Sequence, residues 1–298
     1  MGGVAAQKLE RRWTTSTRIP VRAMLAIHQR GSGDPAFRVA ADGSVWRAVH
    51  TPDGPGTVTI ATGAGTELIA RAWGPGAAWL IDTAPKMLGA ADDPTQFIPR
   101  DAVVERLAAK VPNLRIGRTD RVWEALVGAV IEQKVTGTEA YRAWRYLLTK
   151  YAERAPGPVP DDMRVPPPRQ RWRDITESDW HRSGLEAIRA KTIRTAAAVD
   201  VETKADRLTA LPGVGLWTAA HTRIRAVGDP DAVPVGDYHT PSVVGMALAG
   251  EKVDDDGMLE LLEPYAGQRY RVIRLCELGA GMPERRGPRM SVRDYRRM

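Results

Sequence analysis

Leu211-Pro212-Gly213-Val214-Gly215-Leu216-Trp217-Thr218-Ala219 is the stretch on which the fold of this chain turns. Two glycines one residue apart permit a tight turn. A short helix is predicted to end near Thr209, and a second to run on through Arg225. With no Cβ at Gly213 or Gly215, a phosphate can approach the backbone. The N–H groups that open the second helix meet it with the positive end of the helix dipole. Gly213, Val214, Gly215 and Thr218 are therefore predicted to grip a nucleic-acid backbone by geometry rather than by base sequence. Alone, such a glycine pattern also fits an ordinary interhelical turn.

The pattern gains weight from a second stretch some twenty residues downstream, Val233-Pro234-Val235-Gly236-Asp237-Tyr238-His239-Thr240-Pro241. Asp237 leaves a Gly/Pro loop at the start of a helix with Pro241 in its first turn, where the dipole favours an ionised carboxylate. A plain N-cap aspartate would look the same in isolation. Asp229 and Asp231, beside Pro230, read as turn residues and as the next candidates for a reacting acid.

Hairpin and aspartate at this spacing resemble the helix-hairpin-helix DNA glycosylase superfamily, and most of all its bacterial 3-methyladenine DNA glycosylase II branch. The likeness covers about residues 118–280, and the β-prone segment before it is similar to that branch's N-terminal sheet domain. It implies that Asp237 is catalytic, stabilising the cationic sugar left when a damaged base departs. It implies a base pocket lined by Trp217, by His221 one turn later on the same face, and by Tyr238. In relatives that also nick the strand, a lysine occupies the position of Trp217. No lysine lies between Lys204 and Lys252, so hydrolysis without lyase activity is expected. In Glu132-Gln133-Lys134-Val135-Thr136, Gln133 or Lys134 matches the wedge that fills the gap left by a flipped nucleotide. Two alternatives stay open: a glycosylase for oxidised or deaminated bases, and a non-enzymatic helix-hairpin-helix DNA-binding module.

Composition is compatible with this reading. The chain has 298 residues, and 43 Lys plus Arg against 36 Asp plus Glu give a net charge of +7, which suits a polyanionic partner. The expected partner is double-stranded DNA carrying a damaged base, bound by a monomer. A single cysteine, Cys276, excludes an internal disulfide and any cluster of thiolate ligands, and reads as a core residue. Asp254-Asp255-Asp256 reads as helix capping rather than a metal site, so no metal and no cofactor is expected. The resemblance also admits a structural alkali ion on the hairpin carbonyls. Arg11, Arg12, Thr14, Thr15 and Arg18 break any apolar run near the start, and no later run has transmembrane length. A cytoplasmic, nucleoid-associated protein is expected.

The predicted fold class is α+β, with a small antiparallel sheet domain (1–95), a mainly α helix-hairpin-helix domain whose two subdomains flank a cleft (96–283), and a basic tail (284–298). Strand-like runs at 38–40, 45–50, 58–61 and 68–73 are separated by Asp42-Gly43 and Pro52-Asp53-Gly54, and 77–88 reads as a helix on one sheet face. Thr119-Asp120 is predicted to cap a helix bearing Val122, Leu126 and Val130. A second helix from Thr138 carries Tyr141, Trp144, Leu148 and Tyr151. The Pro-rich segment 155–169 is predicted to be an irregular surface connection. Thr176 and Asp179 have capping-box spacing before further helices.

Overall fold

A computed structural model describes residues 8–281; the basic tail expected at 284–298 lies outside the described residues. The N-terminal part comprises β1 (Leu9–Thr14), α1 (Val21–Leu25), β2 (Phe37–Val39), β3 (Val45–Thr51), β4 (Gly54–Thr62), β5 (Glu67–Trp73) and α2 (Ala77–Met87). The strands form one antiparallel sheet in the order β1-β5-β4-β3-β2. Thr51 pairs with Gly54, so Pro52-Asp53 make a two-residue hairpin turn. One face carries Val45, Val49, Val58, Ile60, Leu68, Ala70 and Ala72 onto Leu80, Ala84 and Met87 of α2, as the alternating pattern predicts.

The opposite face is covered as well. Pro-rich residues 155–165 fold back on it, burying Ala155, Val159, Met163 and Val165 against Ala48 and Trp46. The segment even forms a two-stranded ladder, β6 (Glu153–Arg154) with β7 (Arg164–Val165). The expectation of an irregular surface connection is therefore corrected: proline blocks a helix but does not prevent close packing on an apolar sheet face. Edge strand β1 escaped the sequence reading because its charged residues mask the alternation; Glu10 receives Arg12 and Arg71 at 2.8 and 2.7 Å.

The helical part comprises α3 (Ala102–Lys110), α4 (Val122–Ile131), α5 (Gly137–Tyr151), α6 (Glu177–Ser183), α7 (Ala187–Ala197), α8 (Leu216–Val227), α9 (Thr240–Leu248), α10 (Asp255–Leu262) and α11 (Arg269–Leu275). Every residue of α4 is buried except Glu124, which is ion-paired to Arg47 of the sheet, so α4 is a central helix rather than an amphipathic one. Its N-terminus is not capped by Asp120. The Val122 amide donates to Glu202 Oε2 at 2.7 Å, while Asp120 adopts φ +53° and pairs with Lys86 and Arg118. Thr136 and Glu139 form a reciprocal capping box on α5, and Thr176 caps α6 through the Asp179 amide.

Two helical cores result. Helices α4, α5 and α7 close round Trp144, Trp172 and Trp180, and helices α3, α9, α10 and α11 close round Val244, Met258, Leu262 and Ile273. Helix α8 serves both: Ala219 and Ala226 face the first core, Ala220 and Ile224 the second. The loop from α8 to α9, which carries Asp237, therefore emerges at the seam between them. The N-terminal segment is not self-contained, since Ala36 lies in the first helical core and Ile27 packs on the second.

Candidate active site

The turn that opens α8 is preceded by a single 3-10 turn, Leu208–Ala210, rather than by a longer helix. Gly213 has φ +84°, and a Cβ there would meet Thr192 Oγ1 at 2.1 Å, so glycine is required on two counts. Gly215 differs: its backbone is extended (φ −89°, ψ −178°), and a Cβ would meet nothing within 4 Å. It is the N-cap of α8 and offers no side chain to the first-turn amides, which lack intrahelical acceptors by construction. Pro212, Gly213, Gly215 and Leu216 are exposed. The result is an accessible, uncapped helix N-terminus with the chemistry of an anion site.

The side chains of Val214 and Thr218 face inward, 5% and 2% exposed. Thr218 can offer a strand its first-turn backbone N–H, whereas the Val214 amide is spent inside the turn on the Leu211 carbonyl at 3.0 Å. Gln133, just past α4, donates its amide to Gly213 O at 2.9 Å and to Thr218 Oγ1 at 2.8 Å, bracing the turn from behind. Lys134 is exposed and held at φ +50°, so of the two wedge candidates it is the one that projects.

Asp237 is anchored at both oxygens. Oδ1 accepts from the amides of His239 and Thr240 and from Thr240 Oγ1, each at 2.9 Å. Oδ2 accepts from Trp217 Nε1 at 2.9 Å and lies 3.5 Å from His221 Nε2. Trp217 and His221, one turn apart on α8, put their ring centroids 4.3 Å apart at 56°. Burial pushes the Asp237 carboxyl up, but the N–H groups of His221, Trp217, His239 and Thr240 outweigh it and hold the group far below the ordinary carboxylate range. His221 is held below its ordinary value, chiefly by burial and also by Arg225, against the opposing pull of Asp237.

The structure thus brings together Asp237, Trp217 and His221 beside the turn of Gly213 and Gly215. Tyr238 is not part of that group; it is 75% exposed and meets the ring of His239 edge-on. Asp229 and Asp231 are structural: Asp229 pairs with Arg223, and Asp231 accepts from Arg269 and from the Gly267 amide. Asp254 caps α10, and Asp255 accepts from the Gly236 amide, steadying the loop that carries Asp237. Among the described residues no group of three or more His, Cys, Asp or Glu could hold a metal ion. Cys276 is buried. The sequence reading missed Thr240, Arg225 and Glu132. Arg225 continues the spacing of Trp217 and His221 by another four residues, and that periodicity is the signal that would have found it.

No protein-family model matches the chain. It is 27% identical, in a 267-residue alignment that covers 80% of this chain, to the probable bifunctional transcriptional activator/DNA repair enzyme AlkA of Mycobacterium tuberculosis, of which the match covers 51%. Among solved structures it superposes on a 3-methyladenine DNA-glycosylase from Archaeoglobus fulgidus with TM-score 0.74 at 15% identity, covering 91% of this chain and 98% of that one. A Clostridium acetobutylicum 8-oxoguanine glycosylase/lyase superposes with TM-score 0.70 at 11% identity, covering 92% and 98%.

The chain has the helix-hairpin-helix DNA glycosylase fold. It spans about half the length of the curated relatives it matches. The superposition on the archaeal glycosylase takes in 91% of the chain, too much for the sheet or either helical core to lie wholly outside it. Among the described residues no helix is long and apolar enough to cross a membrane.

Proposed function

We propose that this chain is a monofunctional DNA glycosylase that hydrolyses the N-glycosidic bond of alkylated, 3-methyladenine-like bases in double-stranded DNA. The observation that carries the reading is the carboxylate of Asp237, held ionised at the seam between the helical cores next to an uncapped helix N-terminus. A base stacked in a duplex is out of reach, so the nucleotide is extruded into the cleft while the first-turn amides of α8 hold a phosphate. Departure of the base leaves an oxocarbenium-like sugar, which a fixed negative charge stabilises. Four hydrogen bonds to one carboxylate make Asp237 a weak base, which suits charge stabilisation better than proton abstraction from water.

The same site argues for a leaving group that is already cationic. His221, kept neutral by burial and by Arg225, has no spare proton to give at neutral pH. A purine alkylated at N3 or N7 needs none. It also gains from the electron-rich face of Trp217. Trp217 in place of a lysine supports hydrolysis without strand cleavage.

The test is release of methylated purines from alkylated duplex DNA, alongside a panel with oxidised and deaminated bases and a borohydride trap for a covalent enzyme–DNA adduct. Asp237→Asn is expected to lower release by about a hundredfold or more, with no adduct formed. Release of only oxidised or deaminated bases would replace the alkylbase assignment, and full activity in Asp237→Asn would remove the catalytic one.

A further inference from the structure

Behind the reacting carboxylate a line of polar groups runs from His221 back to the ring of Trp144. Arg225 Nη1 is 2.8 Å from His221 Nδ1 and 3.2 Å from the His221 carbonyl, and its Nε donates to the Ile27 carbonyl at 3.2 Å. Its other terminal nitrogen lies 3.7 Å from Glu132 Oε2. Glu132 Oε1 is in turn 3.5 Å from Arg30 Nε, and the Arg30 guanidinium sits 4.5 Å from the centre of the Trp144 ring. Gly128 of α4 makes room for it, since a Cβ there would fall 1.6 Å from Arg30 Nη2. Arg225 is thus tied to α4, to the N-terminal segment and to its own helix.

An arginine side chain only donates hydrogen bonds. The nitrogen it faces on His221 must therefore be bare, which places the single imidazole proton on Nε2. That atom is buried, makes no hydrogen bond of its own, and has Asp237 Oδ2 at 3.5 Å. Rotating the ring by half a turn would set a carbon against the guanidinium, and adding a second proton would set two donors face to face.

We propose that Arg225 is a positioning residue: by donating to Nδ1 it holds His221 neutral, with the Nε2–H aimed at Asp237. This rests on the reading of Asp237 as the reacting carboxylate, and it assigns His221 two tasks there. Its N–H closes onto Oδ2 beside that of Trp217 as negative charge is drawn toward the sugar, a contact that shortens on substrate binding. Its neutrality keeps a second cation away from a positively charged base. The charged and titratable groups around the ring are Asp237 from the α9 loop, Arg225 on α8, and Glu132 after α4 with Arg30 behind it. Tyr270 of α11 and His28 also feel the charge of Arg225. Burial and Arg225 oppose protonation of His221, and Asp237 and Glu132 favour it.

The experiment is long-range 1H–15N correlation on the full chain labelled at histidine, with the His221 signals assigned by His221→Gln. In the wild type the expected spectrum shows Nε2 protonated and Nδ1 bare at neutral pH, with protonation only below the ordinary histidine range. In Arg225→Met the ring is expected to populate both tautomers and to protonate at higher pH. Release of methylated purine by this variant should fall about tenfold, the worth of one hydrogen bond to a charged acceptor, and the loss should deepen on the acid side. Arg225→Lys, which keeps a donor, should recover part of both. A wild-type His221 that carries its proton on Nδ1, or that is doubly protonated at neutral pH, overturns the proposal without any variant. So does a folded Arg225→Met with unchanged tautomer and titration. If the wild type releases no base while its spectrum is as expected, the glycosylase reading fails and the arrangement of Arg225 on His221 stands.

Discussion

The indole Nε1 of Trp217 donates to Asp237 Oδ2 at 2.9 Å, so the aromatic wall of the site and its carboxylate form one hydrogen-bonded unit. The bond fixes the indole's orientation and at the same time stabilises the charged form of the acid. Trp217→Phe retains an aromatic face and removes only the donor. Base release measured under single-turnover conditions should fall about tenfold, with the melting temperature little changed. The carboxyl of Asp237 should shift upward while remaining ionised at neutral pH, so activity lost on acidification should begin to fall at higher pH than in the wild type. An unchanged acid limb would show that the indole N–H does not act on Asp237.

The two hairpin glycines should respond in opposite ways. Gly213→Ala meets both a positive φ and Thr192, so it should lower the melting temperature and weaken DNA binding together. Gly215 has open space and an extended backbone, and aspartate is a favoured N-cap. Gly215→Asp should therefore fold as well as the wild type or better, while its carboxylate occupies the amides that a phosphate needs. Affinity for duplex DNA, measured by fluorescence anisotropy, is expected to drop at least about tenfold. Undiminished binding by this variant would remove the hairpin from the DNA interface.

Gln133 and Lys134 should separate as well. Gln133→Ala cuts the brace between the end of α4 and Gly213, so it should lower thermal stability along with DNA affinity. Lys134→Gln should leave stability unchanged and reduce the slope of log affinity against log salt by about one, as loss of one phosphate contact would. An identical salt slope in Lys134→Gln would mean that this exposed cation does not reach the DNA.

A structural carboxylate far from the site gives a pH test of the fold itself. Asp179 is buried and accepts from Lys150 at 2.5 Å, from Tyr151 at 2.5 Å and from Tyr146 at 2.8 Å. The Lys150 and Tyr151 bonds, helped by Thr176 and Tyr146 and opposed by burial, hold its carboxyl well below the ordinary value. A depressed folded-state value stabilises the native state above the unfolded value, about pH 4, and the contribution is lost as pH falls through the folded one. Asp179→Asn should therefore melt a few degrees below the wild type at neutral pH, and the gap should narrow on acidification. A gap independent of pH would assign the effect to lost packing rather than to charge.

What could be read along the chain was whatever is encoded by neighbours in sequence. Gly213 and Gly215 mark the turn because backbone freedom and missing Cβ atoms are properties of single residues. Asp237 beside Pro241 marks a helix start for the same reason. Trp217 and His221 share a face because helical spacing alone sets that. Strands β2 to β5 and helix α2 were legible from alternation and turn residues.

Tertiary structure decided the rest, because the deciding partners are distant in sequence. Glu202 rather than Asp120 satisfies the start of α4, and the Pro-rich segment packs as a second cover on the sheet. Tyr238 stands in solvent although it adjoins Asp237, since adjacent side chains on a turn diverge. Gln133 spends its amide on Gly213 and Thr218, and Arg225 sets the proton of His221 with help from Ile27 and Glu132. Hydrogen-bond direction, burial and charge are properties of the space around a group, and only the folded chain supplies that space.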